Sequence, residues 1–326
     1  MMKALYSLQL NNRLAFAAPA YGFKGMLRMA EMADESPFDA VTVGDSLFDS
    51  PRFEPIATLA AVAARTRRIK LGAAIIQPHF RHPVMLALSW ATLDIASEGR
   101  TVLALGIGGG TPHGVGAECR EVGVAIGQRG KILEHCIGEL RALWSGTHPR
   151  VNLPVRPMQN SVPIWIAAGI YQPGAEEFSA QSGNTAGDGA IYLPGPLERV
   201  ARLGDGWLTI MATPDEIRRS IAVLNEAAVR HGRKPGALTS ATDVWINVGP
   251  DPKVCFERIR TAMSLYFNGD PISDGTLHRW AVYGPPEMCR EKLAALEGAG
   301  MQHIGLVIGE LEPSGQFELV VNRVLS

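Results

Sequence analysis

No apolar run in this 326-residue chain reaches the about 20 residues needed to cross a bilayer, so no membrane passage is expected. Cysteine is scarce. The four present (Cys119, Cys136, Cys255, Cys289) lie far apart with no C-x-x-C pair, which excludes a disulfide framework and points to structural thiols in a reducing compartment. An excess of either charge is missing too: 31 Lys and Arg against 32 Asp and Glu leave a net charge of −1, with no footprint for nucleic acid or an anionic membrane surface. The opening MMKALYSLQLNNR lacks the apolar core of a signal peptide, and the expected location is the cytoplasm. H-E-x-x-H, G-x-S-x-G and an H-x-H after the first strand are all absent, so neither a metal site nor a serine nucleophile is expected.

Apolar material is ample, at 46% of residues, enough for a sizeable core. The organising stretch is 68–112. Residues 69–76 form an apolar, partly β-branched run of strand length. A helix then opens at Pro83, carries Leu86, Trp90, Leu93 and Ser97 along one face, and stops at Gly99. A second buried strand follows at 101–105. Two apolar strands joined by a helix make a right-handed βαβ unit, so 77–81 and 106–112 open on the same face, where ligands bind in such folds.

Further strands are expected at 4–8, 38–43, 163–168, 206–210, 243–248 and 303–308, each followed by helical periodicity. The segment Thr213-Pro-Asp-Glu216 reads as a capping box. Eight strand–helix units predict an α/β chain folded as one (β/α)8 TIM barrel with insertions over 1–326. A doubly wound sheet is the alternative, but the glycine run 106–110 has no Gly at 111, where a dinucleotide fingerprint needs one. Composition shifts at one place, 170–196, which is rich in Gly, Ser, Asn and Pro yet keeps Tyr171, Phe178, Ile191, Tyr192 and Leu193; a lid over the ligand face is expected there.

Two side chains on the ligand face are candidate catalytic groups. Asp45 follows the second strand, where barrel enzymes place carboxylates, although a turn cap is the alternative. His113 lies just past the glycine run, where an imidazole exchanges protons near neutral pH; an exposed loop histidine is its alternative. His79 and His82 precede Pro83 in a loop and read as capping and packing residues rather than metal ligands.

The motifs FDAVTVGDSLF (38–48), PRFEPIATLAAVAARTRRIKLG (51–72), RHP (81–83), ATLDIASEGRTVLALGIGGG (91–110), QRGKILEHCIGELRALWSG (128–146), PIWIAAG (163–169) and ARLGDGWL (201–208), in this order and spacing, resemble the luciferase-like monooxygenase superfamily. The resemblance implies a bacterial-luciferase-like barrel that binds reduced FMN or coenzyme F420 at its strand ends. It implies a cis non-prolyl peptide at Ala74 and Ile75 against the cofactor. Gly106, Gly108 and Gly109 would approach the cofactor after the fourth strand, and Ala168 and Gly169 its phosphate side. It further implies an oxidoreductase acting on a small organic substrate, either a monooxygenase using reduced FMN and O2 or an F420 enzyme transferring hydride. A separate flavin or F420 reductase and a homodimer are the implied partners. Sugar-oxidising F420 relatives carry Asp-His after the second strand and an acid after the glycine run; this chain has Asp45-Ser46 and Thr111 there. A non-catalytic flavin-binding barrel is the alternative from another class, since fold alone confers no activity.

Overall fold

The computed structural model describes residues 3–13, 21–109, 114–170, 194–267, 269 and 272–326. Its strands are β1 (Leu5–Gln9), β2 (Ala40–Val43), β3 (Lys70–Ile76), β4 (Thr101–Leu105), β5 (Ile164–Ala167), β6 (Gly206–Ile210), β7 (Thr239–Val248), β8 (Ala281–Gly284) and β9 (His303–Ile308). All pairings are parallel. The sheet runs β6-β5-β4-β3-β2-β1-β9-β7 and closes through β6–β7, so eight strands make a (β/α)8 barrel. Each expected strand is present in this ring.

β8 is the addition. It pairs with β7 from Trp245 to Val248, beyond the stretch 239–243 that β7 shares with β6. β7 is ten residues long, so its upper end would stand as an unpaired edge, and the four-residue AVYG segment covers it. The sequence reads as a Gly/Asp/Pro-rich turn over 268–275 between two helices, one around Phe256, Ile259 and Met263 and the other around Cys289, Leu293 and Leu296; between them the structure adds helix Asp274–Trp280 and this short strand. Four residues are too few to show a period. The start of β7, Thr239-Ser-Ala-Thr242, was missed because its hydroxyl side chains break the apolar run, although three of the four are buried.

Apolar runs become strands here because helices cover the outer face of the barrel while side chains fill its bore. Outside the ring, Leu71, Trp90, Leu103, Ile164 and Trp207 are fully buried between barrel and helices. Inside it, Ala104, Leu208 and Ala241 meet Ala74, Ile75 and Trp165, side chains from five strands that can touch only across the bore. The expected helix signals operate. Thr213 and Glu216 form the reciprocal capping box, and Gly99 takes a left-handed φ of 78° after helix Pro83–Ala96.

Candidate active site at the barrel mouth

The loops after the strands are tied to one another by side chains that leave backbone exposed between them. At the end of β1, Asn12 donates from Nδ2 to the carbonyls of Gly44 (2.9 Å) and Phe53 (2.8 Å), and its Oδ1 accepts from Gly44 N at 3.2 Å. Asp45 comes next. Arg81 grips its carboxylate with both nitrogens, Nη1 to Oδ2 at 2.5 Å and Nη2 to Oδ1 at 2.9 Å, and Gln77 N donates to Oδ2 at 2.9 Å. The Asp45 side chain is 1% exposed and that of Arg81 16%. Arg81 also reaches Glu54 Oε1 at 2.9 Å, and although burial works against its charge, Asp45 and Glu54 hold its pKa above the ordinary arginine value. Asp45 therefore lies at the mouth, as expected of a candidate catalytic group, but its oxygens are engaged as those of a positioning group. His113, the other catalytic candidate, lies outside the described residues, as do Thr111 and, in the expected lid, residues 171–193.

The peptide Ala74–Ile75 is cis, at the position the resemblance implied, and the register between β3 and β4 shifts across it. Beside it the wall is nearly free of side chains. A β-carbon on Gly106 would overlap Ile75 Cδ1 and stand 2.9 Å from Ala167 Cβ, so β3, β4 and β5 close together only with glycine there. Gly108 is left-handed (φ 72°), and its missing side chain is replaced by Gln77 Oε1. Gly109 has open space where a β-carbon would be. At the end of β5, Ala168 N donates to Leu208 O at 3.0 Å and Trp207 Nε1 donates to Ala168 O at 3.1 Å, which fixes the Ala168–Gly169 turn on the same rim. The cis peptide, the glycine turn and the Ala168–Gly169 turn thus border one stretch of the rim, with open space at Gly109.

Sequence reasoning missed three residues of the rim. Glu118, on helix Gly114–Glu121, gathers Ser46 Oγ and the amides of Leu47, Phe48 and Asp49 on its Oε1 at 2.6 to 2.9 Å, shaping the loop after β2. Three consecutive loop amides need an acceptor, which was the signal available; nothing local says that it sits some 70 residues on. Arg129 donates from Nη1 to Ile107 O at 2.7 Å and braces the glycine turn. Its pKa is lowered by burial. His79 is 5% exposed, and burial, reinforced by the charge of Arg129, pushes it down to about 4, so its ring is neutral at physiological pH. His82 caps the helix that follows, its Nδ1 accepting from Val84 N at 3.2 Å.

The third missed residue is Asp243. It follows Ala241 by two residues on β7 and so points into the bore one step nearer the mouth. Its carboxylate fills the space over Gly305, its partner on β9. Burial pushes this carboxyl up to about 7. Above it, Trp280 Nε1 donates to Asp243 O at 2.9 Å, and Trp245 stands edge-on to Trp280 and to Tyr266. Among the described residues, no group of three or more His, Cys, Asp or Glu could hold a metal ion. No helix among them is long and apolar enough to cross a membrane.

Comparison with known proteins follows the same outline. A family model described as luciferase-like monooxygenase matches residues 2–181 and 189–303. The F420-dependent glucose-6-phosphate dehydrogenase of Nocardia farcinica is 26% identical, with 89% of this chain and 90% of that protein aligned. Among solved structures, the monooxygenase RslO1 from Streptomyces bottropensis superposes with a TM-score of 0.78 at 21% identity, covering 98% of each chain. The oxygenating constituent of 3,6-diketocamphane monooxygenase from Pseudomonas putida, in complex with FMN, gives 0.73 at 16% identity over 99% of this chain and 98% of that one.

Proposed function

Because the chain belongs to the luciferase-like monooxygenase family, we propose that it is a flavin-type oxidoreductase that works on a small organic substrate at the mouth described above, with reduced FMN or coenzyme F420 as its cofactor. The observation that carries this reading is the cis Ala74–Ile75 peptide set beside the glycine turn, where a β-carbon on Gly106 would collide with Ile75 and Ala167 and Gly109 has open space. Bound there, either cofactor supplies electron-pair chemistry at its ring.

The residues of this chain do the rest. Ala74, Ile75, Gly106 and Gly108 would hold the cofactor's ring, and the backbone of the Ala168–Gly169 turn its phosphate. The Asp45–Arg81 pair holds the second and third turns in register. Glu118 fixes the loop over them. Asp243 is the described carboxyl in the bore with a pKa near neutrality, suited to exchanging a proton with a bound molecule. The sugar-oxidising relatives' pair is incomplete at Ser46 and Thr111, which favours a substrate other than a sugar phosphate.

Titrating the purified protein in parallel with FMN, reduced FMN and F420, then assaying O2 uptake and F420 reduction with panels of small alcohols and ketones, tests the reading. Binding of one cofactor with turnover is expected. Binding without turnover on any panel would leave a non-catalytic flavin-binding barrel, and no binding at all would overturn the assignment.

A further inference from the structure

Two guanidinium groups share one tyrosine ring at the mouth. Arg13, at the end of β1, and Arg52, in the loop after β2, each lie 5.4 Å from the ring centroid of Tyr266. Arg52 also donates from Nε to Ser50 O at 3.0 Å and from Nη1 to Tyr266 Oη at 3.3 Å. Its tip fills the space over Gly44, where a β-carbon would overlap Nη1 and stand 3.8 Å from the carbonyl oxygen of the cis Ala74–Ile75 peptide. Arg52 is thus a side chain that stands beside the cis peptide.

The neighbouring arginines make a contrast. Arg81 has Asp45 and Glu54. The charge of Asp49 favours that of Arg13, while burial and Arg52 lower the pKa of Arg13. Among the described residues no carboxylate lies within ion-pair distance of Arg52. A half-buried guanidinium beside another, backed by an aromatic face, is at its most stable when an anion completes it.

We propose that Arg52, with Arg13 and Tyr266 behind it, is an oxyanion-recognition site, and that the substrate carries a carboxylate or phosphate group, other than a sugar phosphate, held by Arg52. This rests on the mouth being the active site. The planar fork of Arg52 takes two oxygens of one anion at once, and the carbonyl of Ala74 leaves the neighbouring position to a neutral part of the molecule. Substrates of the same shape without the anion lose this contact.

The full-length protein is titrated with sodium phosphate and with sodium acetate at ionic strength held constant with sodium chloride, reading calorimetric heat. Saturable binding of at least one anion is expected, weakened at least about tenfold by Arg52→Met and less by Arg52→Lys, which keeps the charge and loses the fork. Phosphate alone points to a phosphate ester, acetate alone to a carboxylic acid, and both to an oxyanion site that does not discriminate; each supports the proposal. Arg52→Lys also serves if Arg52→Met fails to fold. Absence of saturable binding, or unchanged affinity in the variants, overturns it. Loss of anion binding with FMN present but not with riboflavin assigns the site to the cofactor's phosphate and overturns the assignment to a substrate. Anion binding that persists in a protein binding neither FMN nor F420 would overturn the proposed function and leave this site standing.

Discussion

Replacing Asp45 with alanine removes the acceptor of three hydrogen bonds, two from Arg81 and one from the amide of Gln77. What remains is a guanidinium 16% exposed whose surviving partner, Glu54, has a side chain 49% exposed. Breaking a buried pair from one side costs about 3 to 5 kcal/mol, because the other charge is left uncompensated. Glu54 retains part of that interaction, which moves the cost to the lower end, and the unpaired Gln77 amide adds roughly 1 kcal/mol. Asp45→Ala should therefore lose about 3 to 4 kcal/mol and Asp45→Asn, which keeps the shape and one acceptor, about 2 kcal/mol. Urea unfolding with an unchanged m-value measures both. Combining Asp45→Asn with Arg81→Gln should recover at least about 1 kcal/mol relative to the sum of the single changes. A stability loss below about 0.5 kcal/mol for Asp45→Ala would refute the positioning role and leave the carboxylate open to act as a base.

Burial pushes the Asp243 carboxyl up to about 7 from the ordinary 3.8, so the folded state holds its proton through that window and stability falls as pH rises across it. Asp243→Asn should flatten that fall by up to about 4 kcal/mol between pH 4 and pH 7, and parallel pH profiles for the two proteins would contradict it. His79 and His303 run the other way: burial holds each at about 4 instead of 6.5, so they lower stability as pH drops through that interval. Replacing either with glutamine should soften acid unfolding, read as the midpoint of acid denaturation. Glu118→Ala should raise hydrogen exchange at the amides of Leu47, Phe48 and Asp49 at least about tenfold, since each donates to the lost carboxylate; unchanged protection would mean that another group holds the loop. The homodimer implied by the resemblance is checked by sedimentation, where a monomer alone at micromolar concentration would count against it.

The barrel was legible because its strands are buried on both faces and therefore read as short apolar runs, 69–76 and 101–105 above all. Helix starts at Pro83 and Pro214 were legible for an equally local reason. The rim was not. Asp45 could be placed at a strand end by topology, but its pairing with Arg81 depends on how two turns meet in space. Glu118 and Arg129 serve loops far from them in sequence, and such partners leave no local pattern. Asp243 opens the expected strand 243–248, and its inward aim follows only from β7 starting four residues earlier at Thr239; β8 was hidden within a stretch too short to show a period. The glycine run was visible, but its reason was not: Gly106 and Gly108 are required by Ile75, in β3, and by Gln77 just after it.

The cofactor site is tested most directly at Gly106. A methyl group there presses on Ile75 and Ala167 and pushes side chain onto the surface where a planar cofactor would lie. Fluorescence titration of the wild type and of Gly106→Ala with FMN and with F420, alongside circular dichroism to confirm folding, should show one cofactor binding the wild type and at least about tenfold weaker binding by the variant. Equal affinity in the two proteins, or a folded wild type that binds neither cofactor, would contradict the placement of the site.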